Sequence, residues 1–357
     1  MAAAEPVLSP PRAARDHGFH LLRVARVVPE TDDAVSLVLE IPPELDDVFQ
    51  YRAGQFCNLR VPIGSDTYLR CYSMSSAPDV DDEMQVTVKR VPGGVVSNWI
   101  NDHVAAGHAI EVAPPTGFFQ LTDSGGDLVA FAAGSGITPV LSLCKSALAT
   151  TERIVRLHYA NRDRSSVIFA DQLAELEERH RGRLMVMHSF DVEDGLLSVE
   201  TVHSVAASSA DDAEYYVCGP APYMEIVEEG LTAMGVAGSR VHIERFTPAE
   251  LLVGMPPAPS EPPGGIEVTV ALDGRSQTTE HRPGTTILQT ARQMGLSPPF
   301  SCESGSCATC MAKVTEGAVS MYVNNALTDD EVADGWILTC QSVPTTPVVH
   351  VTYGFDT

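Results

Sequence analysis

Apolar and polar residues change rhythm twice along this chain. From residue 19 to 113, short β-branched and alternating runs recur, FHLLRVARVV, AVSLVLEI, QFCNLRV and MQVTVKRV, divided by Pro, Gly and Asp clusters. Period-two alternation broken by turn residues predicts an antiparallel sheet closing into a small barrel. From Asp127 the strands are instead separated by helices. LVAFAA passes through a Gly-rich turn into helix PVLSLCKSALAT. Strand RIVRLHYA, helix SVIFADQLAELEERH, strands LMVMHSF and EYYVCG, helix APYMEIVEEGLTAM and strand VHIERF follow. That alternation predicts an α/β doubly wound parallel sheet.

The second change is GMPPAPSEPPGG, residues 254–265, with five prolines that favour extended polyproline II and build no core. It reads as a semi-rigid spacer of roughly 35–40 Å when fully extended. Beyond it, IEVTVAL, helix TTILQTARQMG, a Cys-rich loop, CMAKVTEG and VVHVTY suggest a small α+β fold of the β-grasp type. The chain therefore divides into a tail 1–16, a barrel 17–122, a parallel-sheet domain 123–253, the linker 254–265 and a C-terminal domain 266–357.

Composition narrows the classes. The 357 residues are 44% apolar and 20% charged, an ordinary globular balance. Lys and Arg total 23 against 47 Asp and Glu, a net charge of −24, and the excess runs through every domain. Such a surface repels nucleic-acid phosphates. Leu128 to Leu143 is the longest apolar stretch, and Gly134, Gly136 and Pro139 interrupt it, so no membrane span is expected. The N-terminal residues lack the pattern of a secretory signal. The expectation is a cytoplasmic protein, monomeric in the free state.

The chemistry begins with the cysteines. Cys57, Cys71, Cys144 and Cys218 are scattered, whereas Cys302, Cys307, Cys310 and Cys340 crowd the last sixth of the chain. The clustered four have the C-x4-C-x2-C…C spacing of plant-type [2Fe–2S] ferredoxins. Four thiolates hold two irons, and Gly305 between the small Ser304 and Ser306 lets backbone N–H groups approach the sulfurs. A zinc site would favour C-x2-C pairs or Cys/His combinations. No histidine forms a Cys-x-His pair, so any Rieske centre belongs to a partner.

Arg70-Cys-Tyr-Ser73 ends a predicted barrel strand. It offers a guanidinium for a phosphate, a Tyr72 ring to stack on an isoalloxazine and a Ser73 hydroxyl for the ring N5. An ordinary half-buried strand is the plain alternative. Next comes VKRVPGGVVSNW, where Lys89 ends a strand and Gly93, Gly94 and Ser97 lead into a short helix. Exposed glycine backbone and a helix N-terminus suit a pyrophosphate. Gly134-Ser135-Gly136-Ile-Thr138-Pro139 follows strand LVAFAA and opens a helix. Its glycines permit close approach of a dinucleotide's phosphates, although it lacks the third glycine of GxGxxG. A tight turn without a ligand is the alternative. Cys218-Gly219-Pro220 repeats the strand-then-turn logic, with Cys218 a small wall of a nicotinamide pocket rather than a reactive thiol.

In this order, with Glu244-Arg-Phe246, these motifs resemble the ferredoxin–NADP reductase superfamily fused to a plant-type ferredoxin domain. Within it they are most similar to reductases of multicomponent oxygenases, those of 3-ketosteroid 9α-hydroxylase first and phenylacetyl-CoA epoxidase next. The shared phrases include RCYS, VTVKR, SNW, AAGSGITP, YANRD, CGP and ILTCQS. The resemblance implies that Arg70, Tyr72 and Ser73 hold FAD, that Gly134, Gly136, Thr138 and Cys218 border the nicotinamide, and that Phe246 lies near the flavin. Ser304 and Ser306 depart from the bulkier or charged residues often found there. Ser73 orients N5 in this reading. Glu244 has a polar or electrostatic role, its alternative a solvated strand-end carboxylate. Electrons pass from NADH through FAD and the [2Fe–2S] cluster to an oxygenase, expected to be of Rieske type. Arg162 and Arg164 have three possible partners, the 2′-phosphate of NADPH, a pyrophosphate, or water; the resemblance favours NADH, with NADPH the alternative. The competing readings are a reductase for an aromatic oxygenase or a lipid desaturase, and a non-enzymatic electron carrier.

Overall fold

A computed structural model describes residues 19–64, 66–117, 119–246, 265–272, 274–296, 298–300, 305, 308–324 and 326–353. The tail 1–16 and all of the proline-rich linker except Gly265 lie outside them. The chain forms two compact units, Met1–Arg245 and Phe246–Thr357.

The first unit opens with β1 (His20–Thr31), β2 (Ala34–Glu40), β3 (Phe56–Ile63), β4 (Asp66–Ser73), β5 (Met84–Lys89), helix α1 (Val95–His103) and β6 (Ala109–Val112). The strands pair antiparallel in the order β4-β3-β6-β1-β2-β5. A bridge between Met74, just past β4, and Val86 on β5 joins the two edges and closes the barrel. Alternation explains the core: Leu22 and Val24, Leu37 and Leu39, Cys57, Leu59 and Val61, and Val86 and Val88 all point inward. Helix α1 adds Val96 and Ile100, four residues apart on one face.

The parallel sheet comes from β7 (Leu128–Ala133), α2 (Ile137–Thr150), β8 (Val155–Asn161), α3 (Ala170–Arg179), β9 (Leu184–Phe190), the single turn α4 (Asp191–Asp194), α5 (Val199–Ala206), β10 (Glu214–Cys218), α6 (Ala221–Ala233) and β11 (Val241–Glu244). Its order is β11-β10-β7-β8-β9, every pair parallel. Strands β7, β8 and β10 are buried at every position; of the three only β7 is apolar throughout, while β8 buries Arg156, His158 and Asn161 and β10 buries Glu214. Leu128, Ala130 and Ala132 face one hydrophobic cluster, and Val129, Phe131 and Ala133 face the other. Helix α5 was not expected from the sequence. It is short, capped by Ser198, and buries Val202, Val205 and Ala206.

Polar contacts bind barrel to sheet. The Ser142 hydroxyl on α2 donates to Ser76 O at 2.6 Å and accepts from Gly54 N at 3.4 Å. Ser146 donates to Asp79 at 2.6 Å, and Lys145 pairs with Asp81 at 3.0 Å. Gly54 is required there: its φ is +88°, and a Cβ would stand 1.9 Å from Phe119 O.

The second unit contains β12 (Glu267–Leu272), β13 (Arg275–Glu280), α7 (Ile287–Gln293), β14 (Met311–Glu316), β15 (Val319–Met321), α8 (Asp329–Ala333), β16 (Trp336–Leu338), β17 (Ser342–Pro344) and β18 (Val348–Thr352). A mixed sheet, β13-β12-β18-β14-β16, carries α7 on one face, with Ile287 and Ala291 packed against Val268, Val270, Val349 and Val351. This is the expected β-grasp arrangement of an α+β domain. Thr286 caps α7 in a reciprocal box with Gln289. Among the described residues, no helix is long and apolar enough to cross a membrane.

Candidate functional site

The parallel sheet reverses its direction of growth between β7 and β10, and ligands of such sheets bind beyond the strand ends at that point. Both Gly-containing turns singled out in the sequence lie there. After β7, Gly134–Gly136 forms a single 3-10 turn leading into α2. Tyr159 donates its hydroxyl to Gly134 O at 3.1 Å, and Thr138 donates to Ser135 O at 3.0 Å, so both side chains shape the turn. Pro139 stands in the first turn of α2, where its missing N–H costs nothing, and Pro220 caps α6.

The two glycines have different tasks. A Cβ on Gly136 would lie 2.1 Å from Cys218 O, so this residue lets the two turns meet. Gly134 takes φ +52°, and its Cβ position has one neighbour, Lys89 Nζ at 3.3 Å. Gly219 is packed between Ala133 and Tyr223. Lys89 thus reaches the Gly134 turn, whereas in the sequence it stands beside the Gly93–Gly94 loop. Burial lowers its pKa, partly opposed by the Asp33 carboxylate.

Cys218 is fully buried, and burial, aided by the Glu244 carboxylate, pushes its thiol well above the ordinary value. A protonated thiol fits a wall rather than a nucleophile. Glu244 pairs in register with Cys218 at the end of β11. Phe246, two residues on, is exposed and is the first residue of the second unit.

On the barrel, Arg70, Tyr72 and Ser73 occupy the end of β4 opposite Leu59, Cys57 and Phe56. Burial raises the Tyr72 pKa, with the nearby Arg70 guanidinium opposing it. The buried Ser73 hydroxyl has no hydrogen-bond partner in the protein. Such groups are rare in native interiors, and an orphan hydroxyl is the kind of group a ligand would partner. Between β5 and α1, Gly93 adopts φ +73° and Gly94 is the N-cap, with no side-chain cap on the helix. Ser97 accepts from Val91 N at 3.1 Å, and Asn98, which sequence reading missed, donates to Val91 O and Gly94 O. These bonds tie the loop together, and no side chain caps the start of α1.

At the ends of β8 and β9, carboxylates engage both candidate arginines. Arg162 pairs with Asp163 at 2.8 Å and stands 4.0 Å from Asp33. Arg164 makes a two-pronged pair with Glu193 at 3.0 and 2.8 Å and lies 4.5 Å over the Phe190 ring.

In the second unit, Cys310 and Cys340 are buried in an apolar jacket with Leu288, Ala308, Leu327 and Leu338. They flank the β14–β16 pair, in which Met311 faces Leu338. Gly305 has φ +79° and a Cβ there would meet Val323 O at 2.7 Å, while Ala308 is also left-handed at φ +52°. The Thr309 hydroxyl, next to Ala308, is buried without a partner. A left-handed Ala308, an orphan Thr309 hydroxyl and the buried Cys310 beside it fit a metal–sulfur group. Cys302 and Cys307 lie outside the described residues.

Comparison with known proteins agrees with this layout. An oxidoreductase FAD-binding domain matches residues 22–121, an oxidoreductase NAD-binding domain 131–229, and a 2Fe-2S iron-sulfur cluster binding domain 270–345. The chain is 40% identical over 349 residues to the ferredoxin reductase component of 3-ketosteroid-9-alpha-monooxygenase from Mycobacterium tuberculosis, covering 95% of this chain and 96% of that one. It is 34% identical to a component of the 1,2-phenylacetyl-CoA epoxidase of Escherichia coli, covering 94% of this chain and 98% of that one. Phthalate dioxygenase reductase superposes with a TM-score of 0.62 and 26% identity, over 94% of this chain and 98% of that one.

One buried pair under the site escaped sequence reading. His158 on β8 stacks at 15° on Tyr223, with Nδ1 3.1 Å from its hydroxyl. Burial, helped by His188, lowers the His158 pKa to about 4. The unfolded imidazole takes up its proton near 6.5, so acid favours unfolding between those values. Stability should fall from pH 6.5 to 4 by up to about 3 kcal/mol from this residue. Urea midpoints at pH 7 and 4.5 check it: His158→Gln should lose less on acidification than the wild type, and parallel losses would refute it.

Proposed function

From the premise that this chain belongs to the family of FAD- and NAD-binding oxygenase reductases with a 2Fe-2S domain, we propose that it serves a 3-ketosteroid 9α-hydroxylase and uses NADH. The observation that carries this reading is 40% identity to that enzyme's reductase over nearly the whole of both chains. Bound FAD splits a two-electron hydride into single electrons, and a [2Fe–2S] cluster relays them one at a time.

The residues divide that work. Domains 17–122 and 123–253 hold flavin and nucleotide, and 266–357 holds the cluster on Cys302, Cys307, Cys310 and Cys340. Tyr72 offers its ring for stacking, Arg70 neutralises phosphate charge, and Ser73 bonds the flavin ring with its otherwise unpartnered hydroxyl. Backbone N–H groups after Gly93 and Gly94, at the start of α1, hold the pyrophosphate. Gly134, Ser135 and Gly136 bring the nucleotide to the β7 end, with Lys89 supplying positive charge. Cys218, Gly219 and Pro220 wall the nicotinamide, and Glu244 and Phe246 border the place where hydride passes. No side chain need act as general acid or base.

The partner is an oxygenase carrying a Rieske-type centre, approached by a free monomer in the cytoplasm. The C-terminal domain, with four basic and ten acidic residues from 266 to 357, is steered to a basic patch on it. Purified chain, oxygenase and a 3-ketosteroid should couple NADH oxidation to hydroxylation. Coupling only to an aromatic, phenylacetyl-CoA or lipid-desaturating oxygenase would reassign the substrate.

Nucleotide choice follows from the engaged arginines. Glu193 occupies Arg164, and Asp163 occupies Arg162, so added carboxylate charge meets a 2′-phosphate there. The kcat/KM ratio should favour NADH at least about tenfold, a difference of about 1.4 kcal/mol. Glu193→Gln, which releases Arg164, should raise kcat/KM for NADPH. A wild-type preference for NADPH would contradict the assignment.

A further inference from the structure

We propose that Tyr353 is a positioning residue that tunes the [2Fe–2S] cluster through Thr339 and the backbone of Cys310. The inference rests on the cluster assignment and adds to it a residue outside the cysteine motif.

The geometry is a chain of three buried groups. Tyr353, just past β18, places its hydroxyl 2.7 Å from Thr339 Oγ1. Thr339 places Oγ1 2.8 Å and its backbone N 3.2 Å from Cys310 O. Tyr353 is 4% exposed and Thr339 fully buried, so water does not compete.

Chemistry fixes the direction of every bond. The Cys310 carbonyl can only accept, so the one Thr339 hydroxyl proton is spent on it. Thr339 must then accept at its oxygen, and the Tyr353 phenol must donate. A phenol, with an ordinary pKa of about 10, has that proton to give at neutral pH.

Both O–H dipoles therefore point their positive ends toward Cys310. In a dry environment such bonds polarise one another. Reduction adds negative charge to the cluster, and donors directed at its ligands stabilise that state. The same contacts position two ligands at once, because Thr339 precedes Cys340 in the chain. Its carbonyl accepts from Leu288 N at 3.0 Å, fastening this segment to α7.

Redox titration of the purified full-length chain, followed by the EPR signal of the reduced cluster, tests this. Tyr353→Phe should shift the reduction equilibrium toward the oxidised cluster, on the order of threefold. Thr339→Val should shift it about tenfold, equivalent to about 59 mV for one electron. Thr339→Ser, which keeps the hydroxyl, should return it to wild type. Unchanged potentials in Tyr353→Phe and Thr339→Val would overturn the proposal. So would a Thr339→Ser shift as large as that of Thr339→Val, since lost packing would then be the cause. If Thr339→Val loses its iron, Tyr353→Phe, one oxygen atom smaller, decides alone; loss of iron there without a shift in the remainder also overturns it. A wild type with no EPR signal after reduction refutes the cluster assignment instead.

Discussion

The carbonyl of Cys218 lies 2.1 Å from where a Cβ of residue 136 would stand, so the turns after β7 and β10 meet backbone to backbone. Much of the site depends on that approach. It brings the start of α2 beside the turn after β10, where Cys218 pairs in register with Glu244 on β11. Tyr159 holds the first turn from below through Gly134 O, and the His158–Tyr223 pair supports the second. Gly136 is thus a packing requirement, and Gly134, open except toward Lys89, is the glycine that leaves room for a ligand.

Helix α2 also ties the barrel to the sheet. Its polar face grips the barrel through Ser142, Lys145 and Ser146, while its apolar face packs on the sheet. These contacts fix residues 76–81, just after Arg70–Ser73, to the first helix of the sheet. Such fixed positioning is what hydride transfer between two bound groups requires.

Much of this was legible in the sequence because it is local. Period-two alternation marked β2, β3 and β5, and the alternation of strand-like with helical segments marked β7, β8 and β10. Cysteine spacing marked the iron–sulfur domain. Strand β13, RSQTTE, carried no apolar signal because it is an exposed edge strand. Helix α5 was missed for its eight-residue length, although Ser198 supplied a capping signal. Lys89 was assigned by its sequence neighbours, but a strand end points across space, and it meets Gly134 forty-five positions on. The pairs His158–Tyr223 and Thr339–Tyr353 join residues 65 and 14 positions apart, and no local periodicity encodes such contacts.

In this reading one chain accepts electrons from NADH at a flavin and passes them to a cluster. An anaerobic reductive titration of the full-length protein, read by flavin absorbance and cluster EPR, tests it most directly. The chain should take up about three electrons, two by flavin and one by cluster. NADH alone should bleach the flavin and elicit the EPR signal. Uptake of about two electrons with no EPR signal, or a response to dithionite but not to NADH, would contradict it.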